Sequence, residues 1–222
     1  MLKNKMKINE MFESIQGEGR YAGKPAFFVR LSGCNRKCSW CDTNYHTSYE
    51  NMSVKTVIEK IKNHKGKRIV FTGGEPLLQK KQLLQIIDDL DKDFTFDLET
   101  NGDLIETEED FIKLVSDFNY ICISPKTVET ALKINNFMKH YLTYNVDIKV
   151  VYEPFIELGK DMLVVATMIM PFTWLNTKVP PYYKTEEQNK RIEQEVWNYC
   201  VKNNIQFCLR QHQVVWGNEI GK

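Results

Sequence analysis

Apolar and polar positions along the chain follow two different periods. Short apolar runs, such as AFFVRLSG at 26–33 and RIVFTGGEP at 68–76, are typical of buried strands. Between them, the apolar positions of Ser53–His64 recur on one face of a helix, and Ser53 is predicted to cap its amino terminus. The first third of the chain is therefore predicted to run strand, helix, strand.

The alternation continues to the end of the chain. Thr107 and Asp110 resemble a capping box at the start of a helix, as do Thr185 and Gln188. The carboxyl-terminal run IQFCLRQHQVVWG, residues 205–217, is predicted to be strand-like. Further strands are predicted at 94–102, 120–126, 146–152 and 162–172, and further helices at 77–90, 107–115, 127–142 and 186–203.

Strands that alternate with helices predict a parallel sheet joined by right-handed crossovers. About six strands are too few for a closed eight-stranded barrel. We therefore expect an α/β fold, a partial, open (β/α) barrel with about six mainly parallel strands, and place a doubly wound sheet second. The length fits one domain over residues 1–222, with short amino- and carboxyl-terminal extensions.

Polar or glycine-rich segments follow most of the predicted strands. In chain order these segments are SGC, TGGEP, ETNG, SPK and MPF. Because the carboxyl ends of parallel strands meet at one edge of a sheet, we expect the five segments to form a single site.

Composition narrows the classes of protein that fit. The chain is 42% hydrophobic and 27% charged, with a formal net charge of +1, so nothing indicates a nucleic-acid or membrane partner. The sequence has no apolar run long enough to cross a bilayer, and its first residues lack the apolar core of a secretory signal. We expect a cytoplasmic protein, in which clustered cysteines indicate metal or redox chemistry rather than disulfides.

Three cysteines follow the first predicted strand in the spacing C-x3-C-x2-C: Cys34, Cys38 and Cys41. Soft thiolates select zinc, copper(I) or iron–sulfur clusters. Structural zinc requires a fourth ligand, which His46, Cys200 or Cys208 could supply. The alternative is a [4Fe–4S] cluster with three irons bound to the protein and the fourth open to a ligand. If Cys200 and Cys208 are not zinc ligands, they fit buried apolar positions, as Cys122 does.

The cysteine motif, the aromatic residue before its third cysteine and the TGGEP segment together resemble the radical S-adenosylmethionine (SAM) enzymes. This resemblance implies the radical SAM type of partial barrel, with SAM chelating the fourth iron. An electron from the cluster would cleave SAM to a 5′-deoxyadenosyl radical. Glu75 would accept the SAM ammonium and Lys126 would bind the SAM carboxylate. The implied SAM contacts are Trp40, Cys41, Asp42, Gly74, Glu75, Ser124, Pro125 and Lys126.

A narrower resemblance covers nearly the whole chain. FESIQGEGRYAGKPAFFVRLSGC at 12–34, CDTNY at 41–45 and HQVVWGNEIG at 212–221 are similar to 7-carboxy-7-deazaguanine synthases. The resemblance implies ring contraction of 6-carboxy-5,6,7,8-tetrahydropterin with loss of ammonia, toward queuosine and related 7-deazapurines. It also implies a [4Fe–4S] cluster, SAM, Mg²⁺, a homodimer, and an electron donor such as flavodoxin or ferredoxin.

The same resemblance implies a set of substrate and magnesium contacts. Arg30, a charged residue within an apolar strand, would bind the substrate carboxylate, and we favour this over a structural salt bridge. Thr43 would bind Mg²⁺. The remaining implied substrate contacts are Ile15, Gln16, Gly17, Glu18, Thr72 and His212.

Three segments depart from the family pattern. Met170-Pro171-Phe172 replaces a Gln-Pro pair, and Arg210-Gln211 replaces a Pro-Gln pair before the histidine. The segment 172–184 is interpreted as a lid or a dimer contact. Two other functions are weighed: a glycyl-radical enzyme activase, which would need neither IQGEG nor Thr43, and a zinc-stabilised binding module.

Overall fold

The structure is a computed structural model that describes residues 5–38, 41, 48–141, 143–174, 185–217 and 219. A single sheet runs through these residues and carries helices on one side. Its strands are β1 (Lys5–Ile15), β2 (Pro25–Leu31), β3 (Glu50–Ser53), β4 (Arg68–Gly73), β5 (Thr95–Thr100), β6 (Tyr120–Ile123), β7 (Val146–Tyr152), β8 (Met168–Pro171) and β9 (Gln206–Phe207).

Most helices connect neighbouring parallel strands. The helices are α1 (Val54–Lys62), α2 (Lys80–Asp89), α3 (Glu108–Asp117), α4 (Val128–Tyr141), α5 (Thr185–Asn203) and α6 (Gln211–Trp216). The predicted caps are confirmed at two of them, because Ser53 accepts a hydrogen bond from the Thr56 amide and Thr107 accepts one from the Asp110 amide. No helix in the described ranges has the length and apolar character that a membrane span requires.

The strand order is β3-β1-β2-β4-β5-β6-β7-β8-β9. From β2 to β9 each neighbouring pair is parallel, whereas β1 runs antiparallel to β2 and β3 runs antiparallel to β1. The predicted class is confirmed: the sheet is mainly parallel and open, with helices in the crossovers. The described sheet is wider than predicted, with seven parallel strands and two antiparallel ones.

The sequence pattern missed the two antiparallel strands β1 and β3. In β1, Met6 and Ile8 are buried in the main core, while Phe12 packs on the opposite face against Phe28 of β2, with ring centroids 5.1 Å apart. The register shifts between Ile8 and Glu10, and such a bulge exchanges the faces of the strand. The bulge breaks the period of two, and so the strand was not predicted.

Two predicted strands are wrong in part. Of the run 162–172, only Met168–Pro171 is a strand, because residues 160–165 form a short 3-10 helix after Gly159. Of the run 205–217, only Gln206–Phe207 pairs with the sheet, and Gln211–Trp216 is helical. The predicted helix 77–90 begins with a 3-10 turn at Pro76–Gln79. Apolar runs of this length do not distinguish a strand from a short helix.

The two faces of the sheet have opposite character. On the helix-covered face, alternate strand residues such as Val29, Phe71, Leu98 and Ile148 pack with α1–α5 in the main core. The other residues of the same strands point to the opposite face, because side chains alternate along a strand. That inner face carries polar side chains from strands β2, β4, β5 and β7: Arg30, Thr72, Asp97, Glu99, Asp147 and Lys149.

Candidate active site

The loops after β2 and β4 lie against each other at the carboxyl edge of the sheet. The amides of Gly74 and Glu75 donate to the carbonyls of Leu31 and Gly33, at 3.0 and 2.9 Å. Gly73 has φ +131°, and a Cβ there would lie 2.2 Å from the Leu31 carbonyl oxygen. The first glycine of TGGEP is therefore required by the close approach of the two loops.

Glu75 is completely buried beneath this contact. Its carboxylate accepts hydrogen bonds from the Thr100 hydroxyl at 2.7 Å, the Asn101 amide at 2.8 Å and the Leu77 amide at 3.0 Å. Burial raises the pKa of Glu75, although the three donors act in the opposite direction. Glu75 thus joins the ends of β4 and β5, and its role toward the SAM ammonium stays a prediction.

The three motif cysteines lie on one half-buried loop at this edge. All three are free thiols, and the Cys41 amide donates to the Cys38 carbonyl at 3.2 Å. Burial raises the pKa of the Cys38 thiol; Lys126 acts the other way, and the neighbouring Cys41 and Cys34 reinforce the rise. Three soft thiols on one accessible loop are the donors that an iron–sulfur cluster requires.

Two of the three candidate fourth ligands for zinc are buried elsewhere, since Cys200 lies in the main core and Cys208 lies beside Gly19. Within the described part of the chain, no three His, Cys, Asp or Glu side chains converge as the ligands of one metal ion would. In a [4Fe–4S] cluster each cysteine binds a different iron, so the donor atoms are spread over the cluster. The residues present therefore fit the cluster that the sequence predicted.

The turn after β5 fastens the first half of the cysteine loop. Asp103 accepts hydrogen bonds from Arg36 Nη2 at 2.9 Å, Arg36 Nε, Asn35 Nδ2 at 3.1 Å and Thr130 Oγ1 at 2.9 Å. Asn101 Nδ2 donates to Asn35 Oδ1 at 2.8 Å. Burial acts to raise the pKa of Asp103, but Arg36 and Thr130 hold it below its usual value. The cysteine loop is therefore anchored across the sheet by charge-assisted bonds.

Ser124, Pro125 and Lys126 follow β6 on the same edge. The Ser124 amide donates to the Thr100 carbonyl at 2.8 Å, and Lys126 Nζ donates to Ser124 Oγ at 3.0 Å. Lys126 is near enough to Cys38 for its charge to oppose the rise in the pKa of that thiol. A cavity opens beside Pro125 and Lys126 and is bounded on its far side by Gly159 and Met162. The structure thus brings the predicted SAM residues after β6 next to the cysteine loop.

The IQGEG segment lies across the inner face of the sheet. Gln16 is buried; its Nε2 donates to Glu99 Oε1 at 2.9 Å, and its Oε1 accepts from the Glu18 amide at 3.1 Å. Thr72 Oγ1 donates to the second oxygen of Glu99 at 2.8 Å. Glu99 therefore connects two of the predicted substrate contacts, Gln16 and Thr72. Ile15, at the end of β1, is 47% exposed at the entrance to this segment.

Glu18 is paired with two cations on this face. Lys149 Nζ contacts Glu18 Oε2, and Arg210 Nε lies 3.5 Å from Glu18 Oε1. Burial alone would raise the pKa of Glu18, but Lys149 and Arg210 lower it to about 2. Glu18 is therefore ionised at neutral pH. Burial also raises the pKa of the neighbouring Cys122 thiol, to about 12.

The carboxyl-terminal segment contacts the glycine segment directly. The Gln211 amide donates to the Gly17 carbonyl at 2.9 Å. A Cβ on Gly17 would lie 2.5 Å from His212 Nδ1. The structure therefore brings His212 to Gln16, Gly17 and Glu18, as the predicted shared site requires.

Arg30 forms a structural ion pair. Its Nε lies 2.6 Å from Glu10 Oε1 on the neighbouring strand, in register with it, and its guanidinium lies over the Phe12 ring. This is the alternative that the sequence analysis placed second. Among the described contacts the pair uses Nε and not the terminal amino groups, so the role of Arg30 toward a substrate carboxylate stays a prediction.

Several predicted site residues lie outside the described residues. These are Trp40, Asp42 and Thr43, together with His46, the alternative zinc ligand, and most of the segment 172–184. Their predicted roles are left as predictions.

Sequence reasoning missed four residues that organise the site. Glu99 and Lys149 lie in strands that the sequence predicts to be buried. Each is one residue away from an apolar position that faces the core, so it points to the other face of the sheet, and this alternation was the available signal. Arg210 was noted only as a departure from the family pattern, and Asp103 lies just beyond a motif that was noticed. Their partners are distant in sequence, so their roles were not visible from spacing.

The comparisons with known proteins agree with this arrangement. The family model described as the Radical SAM superfamily matches residues 28–153, more than half of the chain, so the fold and the cysteine loop define a radical SAM protein. The chain is 38% identical over 138 residues to a 7-carboxy-7-deazaguanine synthase of Aquifex aeolicus, covering 58% of this chain and 61% of that protein. It is 37% identical over 163 residues to the synthase of Buchnera aphidicola, covering 63% and 70%.

The chain therefore belongs to the 7-carboxy-7-deazaguanine synthase family of the radical SAM superfamily. The alignment with the Aquifex protein spans less than two thirds of that protein's length. The fold also matches the crystal structure of QueE from Escherichia coli, with a TM-score of 0.63 and 20% identity over 94% of this chain and 95% of that one.

Proposed function

We propose that the protein is a 7-carboxy-7-deazaguanine synthase that contracts the ring of 6-carboxy-5,6,7,8-tetrahydropterin with loss of ammonia. One observation carries the proposal: the cysteine loop, the IQGEG segment and His212 are gathered at one open edge and inner face of the same sheet. A cluster site alone would fit any radical SAM enzyme. The IQGEG segment and His212, with their buried acceptors and donors, fit a flat polar heterocycle.

Each group of residues has a part in this reaction. Cys34, Cys38 and Cys41 would hold the [4Fe–4S] cluster, which, with SAM bound, supplies the radical that starts the reaction. The implied SAM contacts Ser124 and Lys126 lie beside that loop, and Thr43 is the proposed Mg²⁺ ligand.

The inner face would bind the substrate. Gln16 and Glu18 offer an amide and a carboxylate to the edge of the pterin, and His212 would close the site from the carboxyl-terminal segment. Arg30 would bind the substrate carboxylate through its terminal amino groups.

The proposal also implies a cellular location, an oligomeric state, an electron donor and a use for the product. The protein would act in the cytoplasm as a homodimer and would receive electrons from a flavodoxin or a ferredoxin. Its product would enter the synthesis of queuosine or a related 7-deazapurine.

The test is anaerobic turnover. Protein reconstituted with iron and sulfide is mixed with SAM, Mg²⁺, a chemical reductant and carboxytetrahydropterin, and the deazaguanine product is measured by mass spectrometry. Wild type should form product, and Cys38→Ala should lose both the cluster and the product.

Cys200→Ala is the matched control, since Cys200 is buried in the core at α5 and should be dispensable. If Cys200→Ala lost the metal as Cys38→Ala does, a zinc site would replace the cluster. If wild type held a full cluster but formed no deazaguanine, the substrate would be wrong.

A further inference from the structure

The buried charges of the inner face form a balanced group around Glu18. Two carboxylates, Glu18 and Glu99, lie with two cations, Lys149 and Arg210. The Lys149 side chain is 6% exposed and that of Arg210 is 11% exposed. Cations this deep are rare unless they are paired, so their position has to be explained by Glu18.

Each oxygen of Glu18 has its own cation. Lys149, on β7, contacts Oε2. Arg210, in the carboxyl-terminal segment, lies 3.5 Å from Oε1. Arg210 Nη1 also donates to Thr173 Oγ1 at 3.0 Å, which links the group to the loop after β8. The Glu18 side chain is therefore held from two elements that are far apart in the sequence.

The backbone around Glu18 is held as well. Its amide donates to Gln16 Oε1 at 3.1 Å, and the Gly19 amide donates to Cys208 Sγ at 3.1 Å. Glu99 is bound by neutral donors from Gln16 and Thr72, whereas both cations lie within ion-pair distance of Glu18. The arrangement fixes both the position and the charge of one carboxylate.

We propose that Lys149 and Arg210 are positioning residues that keep the Glu18 carboxylate ionised and directed at the substrate, so that it offers only hydrogen-bond acceptors. This inference rests on the proposed function. An ionised carboxylate accepts and cannot donate, and so it selects a ring edge that carries N–H donors, such as the amino-pyrimidine edge of a pterin. A protonated Glu18 would present a donor and would lose that selectivity.

The expected effect follows from the groups around Glu18. Burial raises the pKa of Glu18, whereas Lys149, Arg210 and His212 lower it. Glu99 faces the same group, and its negative charge stabilises the charge of Lys149. Cys122 and Cys208 also face the group, and burial raises the pKa of both thiols. Removing the Lys149 charge should leave burial as the dominant influence and bring the titration of Glu18 into the working pH range.

Three variants test the inference. Lys149→Met removes the charge at similar length, Lys149→Arg restores it, and Lys55→Met is the control at an exposed lysine of α1. Glutamate side-chain carboxyls are labelled with ¹³C, and Glu18→Gln assigns the Glu18 signal. Glu18 should titrate between about pH 5 and 8 in Lys149→Met only, not in wild type, Lys149→Arg or Lys55→Met.

Kinetics give the second measurement. In Lys149→Met, KM should rise from pH 8 to pH 6, by about tenfold for a titration midpoint near pH 7, while kcat changes less. Wild type and Lys149→Arg should show a flat KM. A Lys149→Met variant with the wild-type titration, or with an unchanged KM at every pH, would overturn the inference.

The proposed function and the positioning role of Lys149 are refuted by different results. If wild type forms no deazaguanine product, the proposed function fails, and the substrate part of this inference fails with it. If wild type turns over normally and Lys149→Met behaves like it at every pH, only the positioning role is wrong.

Discussion

The anchoring of the cysteine loop by Asp103 can be tested without the cluster. Asp103→Ala removes four hydrogen bonds: two from Arg36, one from Asn35 and one from Thr130. The Arg36 side chain is 31% exposed, so each of its bonds is reduced by solvent to about 1 kcal/mol. The buried Thr130 bond contributes about 1 kcal/mol, and the exposed Asn35 contributes little.

The anchor is therefore worth about 3 kcal/mol, which corresponds to an opened loop that is about 100-fold more populated in the variant. An arginine-specific protease cleaves after Arg36 only when the loop opens, so the cleavage rate follows that population. The assay compares cluster-free wild type and Asp103→Ala by mass spectrometry. Cleavage after Arg36 should be about 100-fold faster in the variant.

Asp110→Ala is the matched control. It also removes an aspartate ion pair, with Lys80 at 2.7 Å, but on α3 and away from the cysteine loop. Its cleavage rate after Arg36 should equal that of wild type. A cleavage rate in Asp103→Ala within about threefold of wild type would mean that the anchor contributes less than about 1 kcal/mol, and the reasoning would be refuted.

Two other predictions concern the inner face. Gly17→Ala would place a Cβ 2.5 Å from His212 Nδ1, so the carboxyl-terminal segment should be displaced at a cost of about 1–3 kcal/mol, and KM should rise; an unchanged KM would show that this contact is not part of the site. Burial raises the pKa of Asp97 from 3.8 to about 6 despite Arg68, so its ionisation should lower stability by about 2 kcal/mol as pH rises from 4 to 7. Asp97→Asn should remove that part of the pH dependence in denaturant melts, and an unchanged slope would contradict the assignment.

The local features of this protein were readable from its sequence. Helix caps, the polar strand ends and the spacing of Cys34, Cys38 and Cys41 depend on residues close together in the chain. For that reason the class of fold, the cluster loop and the two confirmed caps were predicted. The errors in the elements also have local causes, since the bulge in β1 hides a strand and the short apolar run after Gly159 resembles one.

The partners of the charged residues were decided by the tertiary structure. Glu18 and Lys149 are 131 residues apart, and Arg36 and Asp103 are 67 apart, so no periodicity relates them. Arg30 shows the same limit, because its charge in an apolar strand required a partner but only strand pairing identified Glu10. A sequence states which charges have to be compensated, and the packing of the sheet determines which residues compensate them.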